Sequence, residues 1–407
     1  MIKQVYIIGG GAAGFFCAIN LAKKNPSYKI TILEKTTKLL SKVLVSGGGR
    51  CNVTNQCFEI SDLIKNYPRG SKELRSVFSK FAPQDTIEWF AKRNVKLHAE
   101  ADNRMFPTTN NSQTIIDCFL DEAKKHGVTI QTKAEVKKTK KQNDKIVLSV
   151  IVNDTNEQDL IADAVVVTSG GFNQEKAYGF LQATGHTIVK PLPSLFTFNI
   201  PNDAVTQLMG LSVSNAKVKV AGTNYLFEGP LLITHWGFSG PAVLKLSAYA
   251  AEYFHQKSYE ATIHINWLNK EYEEIKQAVE QLQKQQHKAL PKNTNVFVLP
   301  KRLWEHLLIK ADLNNDKPWS EITKKSINKL VEVLFADSYI MRGKTTFKEE
   351  FVTCGGIELK EIDFKTMQSK KMSELYFAGE VINIDGITGG FNFQAAWSTA
   401  WVAANSI

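Results

Sequence analysis

The chain is poor in arginine, in paired cysteines and in long apolar runs. Of its 50 basic residues only seven are Arg, although the formal net charge is +10. Lys is the usual cation of solvated surfaces, whereas Arg dominates bidentate contacts to phosphates and bases. This balance argues against a dedicated nucleic-acid-binding protein, so we expect no specific nucleic-acid partner.

The cysteines and histidines also exclude several classes of protein. The five cysteines are odd in number and contain no Cys-x-x-Cys pair, which excludes a disulfide framework or a zinc ribbon. This pattern indicates a cytoplasmic protein. The histidines have no metal-ligand spacing, so no metal site is predicted. The apolar stretch 5–22 is broken by glycines and no other run is long enough to span a bilayer, so neither a signal peptide nor a membrane partner is expected.

A glycine-rich turn near the start lies between a predicted strand and a predicted helix. Residues 5–8 form the strand and residues 12–24 the helix, with Gly9, Gly11 and Gly14 around the turn. The first glycine permits the turn, the second lets the backbone approach a pyrophosphate, and the third allows close helix–strand packing. The helix N-terminus adds amide donors. The pattern predicts a dinucleotide site, and a glycine-rich turn of another α/β protein is the alternative.

An acidic residue follows at the expected place. Glu34 comes directly after a predicted strand over residues 29–33. Its carboxylate can accept hydrogen bonds from both ribose hydroxyls of an adenosine, and it would repel a 2′-phosphate. The cofactor contacts predicted in this part of the chain are Gly9, Gly11, Ala12, Ala13, Gly14, Glu34 and Lys35.

A second glycine-rich loop follows within the first 55 residues. Three consecutive glycines followed by Arg and Asn supply close-approach backbone and polar donors. This suits a diphosphate, a ribityl chain or the edge of an isoalloxazine, and a structural loop around a buried Arg is the alternative. Cys51 is interpreted as a small buried residue rather than a redox thiol. The predicted contacts are Lys42, Ser46, Gly47, Gly48, Gly49, Arg50, Cys51 and Asn52.

The end of the chain carries the other half of the predicted site. A strand over 376–378 runs into Gly379 and Glu380, and a second glycine pair opens a terminal helix. An amphipathic terminal helix capped by glycines is the alternative. A dinucleotide held by both termini implies a sheet closed by the two ends, which predicts a flavoprotein with a long, buried cofactor. The contacts predicted in this C-terminal motif are Gly379, Glu380, Gly389, Gly390, Phe391 and Asn392, and Gly170 is predicted as a further contact in the glycine turn after a buried strand over 165–167.

The middle of the chain is predicted to be an insertion. Helices are expected over 71–93 and 112–126, and an antiparallel meander over 128–167 with strands at 129–133, 146–152 and 160–162. A Lys-rich solvated turn is expected near 137–145. Pro191 and Pro193 mark a boundary. The predicted domains are a cofactor domain over 1–190 and 351–407, a β-rich insert over 191–268 and 336–350, and a helical part over 269–335.

These motifs resemble a known bacterial family. It is the NAD(P)/FAD-dependent oxidoreductase family often labelled aminoacetone-oxidase-like, which includes bile-acid-pathway flavoproteins. The resemblance covers essentially the whole chain and is most specific at 42–55, 104–107, 234–241, 353–357 and 379–394. It implies an α/β fold with a Rossmann-like FAD-binding domain of the glutathione-reductase type built from both termini. It also implies an inserted β-barrel-like part, a helical part and tightly bound FAD.

The predicted function is that of an FAD-dependent oxidoreductase acting on a small molecule. The electron donor is either an organic compound or NADH or NADPH, bound transiently because no second dinucleotide motif is present. His235 is the candidate catalytic residue, with a structural histidine as the alternative. Two other functions stay open: a flavin-dependent enzyme that modifies transfer RNA, and a flavin-binding sensor without turnover. Family resemblance does not identify the substrate.

Overall fold

The chain forms two compact units. The computed structural model describes residues 2–313, 316–345 and 352–407. The first unit comprises Met1–Ser194 and Phe347–Ile407, and the second comprises Leu195–Thr346. The second unit is therefore an insertion in the first, which contains both chain termini. The domain boundary predicted between residues 350 and 351 lies outside the described residues.

The strands are mostly short. In chain order they are β1 Gln4–Ile8, β2 Lys29–Leu33, β3 Thr54–Asn55, β4 Leu97–Ala99, β5 Arg104–Pro107, β6 Thr129–Gln131, β7 Ala134–Gln142, β8 Lys145–Val152, β9 Asn156–Ala162, β10 Ala164–Val167, β11 Ile188–Pro193, β12 Thr197–Asn199, β13 Ser212–Val220, β14 Leu226–Thr234, β15 Gly237–Ser239, β16 Glu260–Asn266, β17 Asp337–Arg342, β18 Lys344–Thr345, β19 Thr353–Ile357, β20 Ile362–Asp363, β21 Gln368–Ser369 and β22 Leu375–Phe377.

The helices vary from a single turn to the long terminal helix. They are α1 Ala12–Lys24, α2 Ser41–Gly49, α3 Ile60–Leu63, α4 Ser71–Phe78, α5 Pro83–Ala91, α6 Gln113–Lys125, α7 Gly179–Gln182, α8 Pro241–Tyr249, α9 Ala251–Gln256, α10 Tyr272–Gln285, α11 Lys301–Lys310, α12 Lys324–Ala336 and α13 Phe391–Ser406. In the described parts of the chain, none of them combines the length and apolar character that crossing a bilayer requires.

The first unit is built on a sheet with the strand order β20-β21-β22-β10-β1-β2-β6. From β22 to β6 each neighbouring pair is parallel, whereas β20, β21 and β22 pair antiparallel. Every residue of β10 is buried, as expected for a parallel strand that is covered on both faces. The carboxyl ends of β1, β2, β10 and β22 meet at one edge, which is where such sheets bind ligands.

The two ends of the chain share one core. Helices α1 and α13 pack against each other through aromatic side chains. The Phe16 ring lies 5.4 Å from the Trp397 ring and 4.7 Å from the Trp89 ring. Phe119 completes the group, 5.4 Å from Trp397. Because aromatic rings bury large apolar areas, this cluster fixes the terminal helix to the first helix.

The single helix predicted over residues 71–93 is wrong. The structure has two helices, α4 and α5, with a break between Phe78 and Pro83. Pro83 is the first residue of α5, where its missing N–H is not needed, but it could not lie inside a continuous helix. The Asp85 carboxylate accepts a hydrogen bond from Ala82 N at 2.7 Å and so fixes the start of α5.

The solvated turn predicted near residues 137–145 is also wrong. β7 runs through this Lys-rich segment and pairs with β8, so that the turn shrinks to Asn143 and Asp144. Along β7 the side chains of Ala134, Val136 and Thr139 are buried, and the lysines between them point outward. The residues predicted as the first strand of the meander form β6 instead, which pairs with β2 in the parallel sheet. The lysine content of this segment therefore led to the prediction of a turn where the structure has a half-buried strand.

The second unit combines a sheet with a helical part. The strand order is β17-β16-β13-β14-β15-β12-β18 with antiparallel neighbours. Helices α10, α11 and α12 follow one another in sequence, and Trp267, Trp304 and Trp319 are buried in the core of this unit. The indole nitrogens of Trp304 and Trp319 donate to Pro291 O at 2.9 Å and Thr294 Oγ1 at 2.8 Å.

Candidate functional site

The three glycines of the first turn have different surroundings. A Cβ at Gly9 would lie 2.6 Å from Thr168 O, and a Cβ at Gly14 would lie 2.0 Å from Gly9 O. Both residues are therefore required by the fold itself. A Cβ at Gly11 would meet no atom within 4 Å. Gly11 thus borders open space at the N-terminus of α1, a helix with no side-chain cap and no acidic residue in its first turn. An anionic pyrophosphate suits such a place.

The acidic residue after β2 is fixed at the edge of this turn. Glu34 Oε2 accepts a hydrogen bond from Gly10 N at 2.9 Å, and Oε1 accepts from Thr36 N and Thr36 Oγ1, both at 2.8 Å. A carboxylate oxygen has more than one acceptor site, so Glu34 can still bind ribose hydroxyls. Lys35 is directed elsewhere, because its ammonium lies 5.3 Å from the centre of the Phe172 ring.

The second glycine loop is a left-handed turn at the end of α2. Gly47, Gly48 and Gly49 have φ values of 59°, 68° and 83°. Three successive positive φ values favour glycine, which explains the repetition. A Cβ at Gly47 would lie 2.9 Å from the Phe106 ring, whereas one at Gly48 or Gly49 would meet nothing within 4 Å. As at Gly11, the last two glycines border space in which a ligand can contact the backbone.

Arg50 already has partners within the protein. Its Nη1 lies 2.6 Å from Glu100 Oε1, and its guanidinium lies 4.1 Å from the centre of the Phe106 ring. Glu100 also binds Arg104, with Arg104 Nη2 2.8 Å from Glu100 Oε2. The side chain of Arg50 is therefore held in place, and any contact with a cofactor would add to this arrangement.

Cys51 is not a reactive thiol. Its side chain is fully buried, and burial raises the pKa of the thiol to about 12 despite a hydrogen bond with Ser46. The nucleophilic thiolate is therefore scarce at neutral pH. This agrees with the interpretation of Cys51 as a small buried residue. In the part of the chain that the structure describes, Cys51 is not in a disulfide bond.

The second loop is hydrogen-bonded to the start of the terminal helix. With its amide oriented to satisfy both polar atoms, Asn52 accepts from Gly390 N at 2.9 Å and donates to Thr54 O at 3.1 Å. Asn55 Nδ2 donates to Gly389 O at 3.0 Å. Further along α13, Trp397 Nε1 donates to the Val53 carbonyl at 2.9 Å. The structure therefore brings together the two halves that were predicted from opposite ends of the chain.

Two predicted contacts of the C-terminal motif have structural roles. Asn392 accepts from Gly386 N and donates to Gly386 O, both at 2.8 Å, which closes the loop before α13. The buried Phe391 has its carbonyl bonded by Tyr67 Oη at 2.7 Å. The side chain of Asn392 is therefore occupied. The two residues can still contribute main-chain N–H groups at the start of α13, which is capped by Gly390 in a left-handed conformation.

A group of polar side chains lies around the loop that follows β10. Lys42 Nζ lies 2.5 Å from Glu380 Oε2, and a Cβ at Gly170 would lie 3.8 Å from that same oxygen. In the part of the chain that the structure describes, the buried hydroxyl oxygens of Ser169 and Thr353 have no hydrogen-bond partner. A buried hydroxyl without a partner is unfavourable. A hydroxylated ligand chain would satisfy both groups, so the residues here fit the ribityl part of a flavin.

The sequence did not identify Ser169 and Thr353 as site residues. Ser169 directly precedes the predicted Gly170, and its place after a buried parallel strand is the signal that could have found it. Thr353 begins β19, far along the chain, and a Cβ at Gly171 would lie 3.1 Å from Thr353 Oγ1. No local pattern marks that proximity.

The candidate catalytic residue lies in the second unit. His235 is exposed in the turn between β14 and β15, and its ring lies 4.2 Å from the Trp236 ring, edge to face. The turn is tight, because a Cβ at Gly237 would lie 2.2 Å from Phe198 O. Its catalytic role stays a prediction. Across residues 2–313, 316–345 and 352–407, no group of three or more His, Cys, Asp or Glu side chains is arranged to hold a metal ion.

Comparison with known proteins identifies the family. Residues 3–406 match the family described as the HI0933-like protein Rossmann domain. The chain belongs to this family. It is 32% identical over 411 residues to the ribosomal RNA dihydrouridine synthase of Haemophilus influenzae, covering 98% of this chain and 97% of that protein. It is 24% identical over 414 residues to the 3-dehydro-bile acid delta(4,6)-reductase of Clostridium scindens, covering 100% and 99% of the two chains.

A solved structure shares the fold of this HI0933-like protein. The 3-ketosteroid delta1-dehydrogenase of Sterolibacterium denitrificans, in complex with 1,4-androstadiene-3,17-dione, aligns with a TM-score of 0.53 at 13% identity, covering 99% of each chain. The family resemblance, the α/β fold class and the assignment as an enzyme are thereby confirmed. The protein is an FAD-dependent oxidoreductase.

Proposed function

We propose that this protein reduces a uridine of ribosomal RNA to dihydrouridine. The observation that supports the proposal most strongly is the 32% identity to a ribosomal RNA dihydrouridine synthase over nearly the full length of both chains. A match over 98% of this chain includes the inserted second unit as well as most of the first. The proposal takes up the nucleic-acid alternative, with ribosomal RNA in place of transfer RNA, and departs from the expectation of a small-molecule substrate.

The proposed reaction saturates a carbon–carbon double bond that is conjugated to a carbonyl group. In uridine, a hydride adds to C6 of the uracil ring and a proton adds to C5. The hydride brings two electrons and one hydrogen, and the proton brings the second hydrogen. The bile-acid relative is named for reduction of double bonds in a 3-dehydro steroid, which is the same type of conjugated system. Reduced FAD, when bound, supplies the hydride.

The residues at the sheet edge would hold FAD. Glu34 would accept the adenosine ribose hydroxyls, and the open space at Gly11 would receive the pyrophosphate. Glu380, held by Lys42, would accept hydroxyls of the ribityl chain. The amides at the start of α13 would stabilise negative charge on the reduced ring. NADH or NADPH is the proposed electron donor, and the protein would bind it transiently.

His235 is the proposed proton donor. An imidazolium can protonate a carbon that gains electron density, and His235 is exposed in the turn between β14 and β15. His235→Gln should lower the rate of uridine reduction about 100-fold while reduction of the flavin by NADH or NADPH stays unchanged. Equal loss in both half-reactions would instead indicate a structural role.

The proposed function can be tested on unmodified ribosomal RNA transcribed in vitro. The purified holoprotein is incubated anaerobically with this RNA and NADH or NADPH, and the RNA is digested and analysed by nucleoside mass spectrometry. The expected result is one uridine that gains two hydrogen atoms, together with reoxidation of the reduced flavin band. A reduced flavin that the RNA leaves reduced, with no dihydrouridine formed, would contradict the proposal.

A second candidate function follows from the bile-acid relative. The chain matches that protein over its full length at 24% identity. The same anaerobic spectrum is therefore recorded after addition of a 3-keto-Δ4 steroid in place of RNA. Reoxidation by the steroid alone would favour a small-molecule reductase, which is the substrate class expected from the sequence.

A further inference from the structure

We propose that a cluster of lysines on the helical part of the second unit binds the phosphates of the RNA substrate. The cluster, termed here the basic ridge, consists of Lys284, Lys288, Lys317, Lys324 and Lys325. The inference rests on the proposed function, because it names the surface through which ribosomal RNA is held.

Hydrogen bonds join the two segments that carry the basic ridge. At the end of α10, Gln283 Nε2 donates to Trp319 O at 3.0 Å and to Ile322 O at 3.1 Å. Beyond the helix, Trp319 N donates to Ala289 O at 3.0 Å and Ser320 N donates to His287 O at 2.9 Å. Segments 283–289 and 317–325 therefore lie side by side on one part of the surface.

All five lysines of the basic ridge are exposed. Within the described residues, none of them forms an ion pair with a carboxylate. Most other lysines of α10, α11, α12 and their connections do form ion pairs. Examples are Lys292 with Asp316 at 3.3 Å and Lys310 with Asp337 at 2.5 Å. The two segments of the ridge contain a single carboxylate, Glu321.

This distribution of charge suits a polyanion. Unpaired lysines that are close together repel each other, and a phosphate backbone removes that repulsion while releasing its counterions. Phosphate contacts position an RNA without reading its sequence, so Lys is adequate and Arg is not required. The shortage of Arg in this chain therefore does not exclude binding of RNA through its backbone.

The test compares two double charge reversals in the second unit. Lys324→Glu with Lys325→Glu changes the ridge, and glutamates in the first turn of α12 are compatible with its helix dipole. The matched control is Lys219→Glu with Lys257→Glu, two lysines that are exposed, lie outside the ridge and have the same charge change. Binding of a labelled ribosomal RNA fragment is measured by fluorescence anisotropy at several salt concentrations, and the flavin spectrum verifies that each variant is folded and loaded.

The ridge variant should bind the RNA at least about 10-fold more weakly than wild type. The negative slope of log K against log salt should become shallower by about 1.5, as expected for the loss of two phosphate contacts. The control should change binding less than about 2-fold. Equal weakening of RNA binding in both variants, or no weakening in either, would contradict the proposal that the ridge binds RNA. If wild type forms dihydrouridine while the ridge variant binds the RNA normally, the proposed ridge is wrong and the proposed function stands. If wild type neither binds nor reduces the RNA, the proposed function fails as well.

Discussion

At the residue scale, glycines of one motif are present for different physical reasons. The fold itself requires Gly9 and Gly14, because a side chain at either position would overlap main-chain atoms. Gly11 is not required by packing, since a Cβ there meets no atom within 4 Å. Packing of the polypeptide therefore does not explain the absence of a side chain at Gly11, whereas the proposed pyrophosphate would account for it.

This difference separates cofactor binding from folding. Gly11→Val should fold, with a circular dichroism spectrum like that of wild type, but should lose most of its FAD. Gly14→Val should be destabilised by about 3 kcal/mol, because its side chain would have to displace the main chain of the turn. The measurements are the flavin absorbance per protein and the urea midpoint. A yellow, fully loaded Gly11→Val protein would refute the location of the pyrophosphate.

Asp163 is a second residue whose contribution can be isolated. Its Oδ2 accepts from Gln4 N at 2.7 Å, and its Oδ1 binds Lys145 Nζ. The hydrogen bond from Lys145 lowers the pKa of Asp163. A lowered pKa in the folded state means that the stabilisation is present above the unfolded pKa of about 4 and is lost as the pH falls through the folded pKa.

Asp163→Asn should therefore be less stable than wild type at neutral pH, by about 1 kcal/mol. The difference should shrink as the pH falls below about 4, where wild type also loses the charge. Urea unfolding of both proteins across this range measures the effect. A difference that stays constant into acid would mean that the charge of Asp163 contributes nothing.

At the element scale, a buried ion pair connects three segments of the first unit. The Arg69 guanidinium, just before α4, binds both carboxylate oxygens of Asp385, and Ser194 Oγ at the end of β11 donates to the same carboxylate. Asp385 is fully buried, and burial raises its pKa although Arg69 and Ser194 oppose that effect. The loop before α13 is thus connected to the point where the chain leaves the first unit.

Removing one member of this pair should be more harmful than removing both. Arg69→Met leaves a buried carboxylate without its cation and should destabilise the protein by about 3–5 kcal/mol. The double substitution of Arg69→Met with Asp385→Leu removes both charges and should recover much of that loss. A double-mutant cycle by urea unfolding measures the coupling. Additive effects of the two substitutions would show that the pair contributes no coupling energy.

At the scale of the whole molecule, both chain termini contribute to the candidate cofactor site. The turn after β1 and the loop at Gly47 come from the N-terminal part, and Glu380 and the start of α13 from the C-terminal part. A ligand that contacts both parts is linked to the folding of the first unit. Because FAD binds the folded state, it should add about 4 kcal/mol of stability when present at 1,000 times its dissociation constant.

Removal of FAD should therefore loosen both ends of the chain together. In the apoprotein, hydrogen exchange should accelerate at residues 8–14, 46–55 and 379–394, while the core of the second unit, around Trp304 and Trp319, keeps its protection. Mass spectrometry of peptides from apoprotein and holoprotein measures this. Faster exchange at only one end would contradict a site shared between the termini.

Much of this arrangement could be predicted from local sequence. The helix α1 was predicted with the bounds that the structure shows, as was β2, because each has a strong apolar pattern and a glycine or charged residue at its ends. The lysines of β7 hid a strand, since a solvated turn and a half-buried strand with outward lysines have similar compositions. The break before Pro83 could have been predicted from the sequence, because proline does not fit inside a helix, but a single helix was predicted.

The sequence by itself determined the cofactor class, the family and the glycine positions, because turns, helix starts and strand ends are encoded by neighbouring residues. Only the tertiary structure decided which side chains are already bonded within the protein and which are left to contact a ligand. It showed that Asn392 is occupied by Gly386, that Arg50 is held by Glu100, and that, within the described residues, the hydroxyls of Ser169 and Thr353 have no hydrogen-bond partner. These relations depend on hydrogen bonds and packing between distant segments, which no local pattern of residues records.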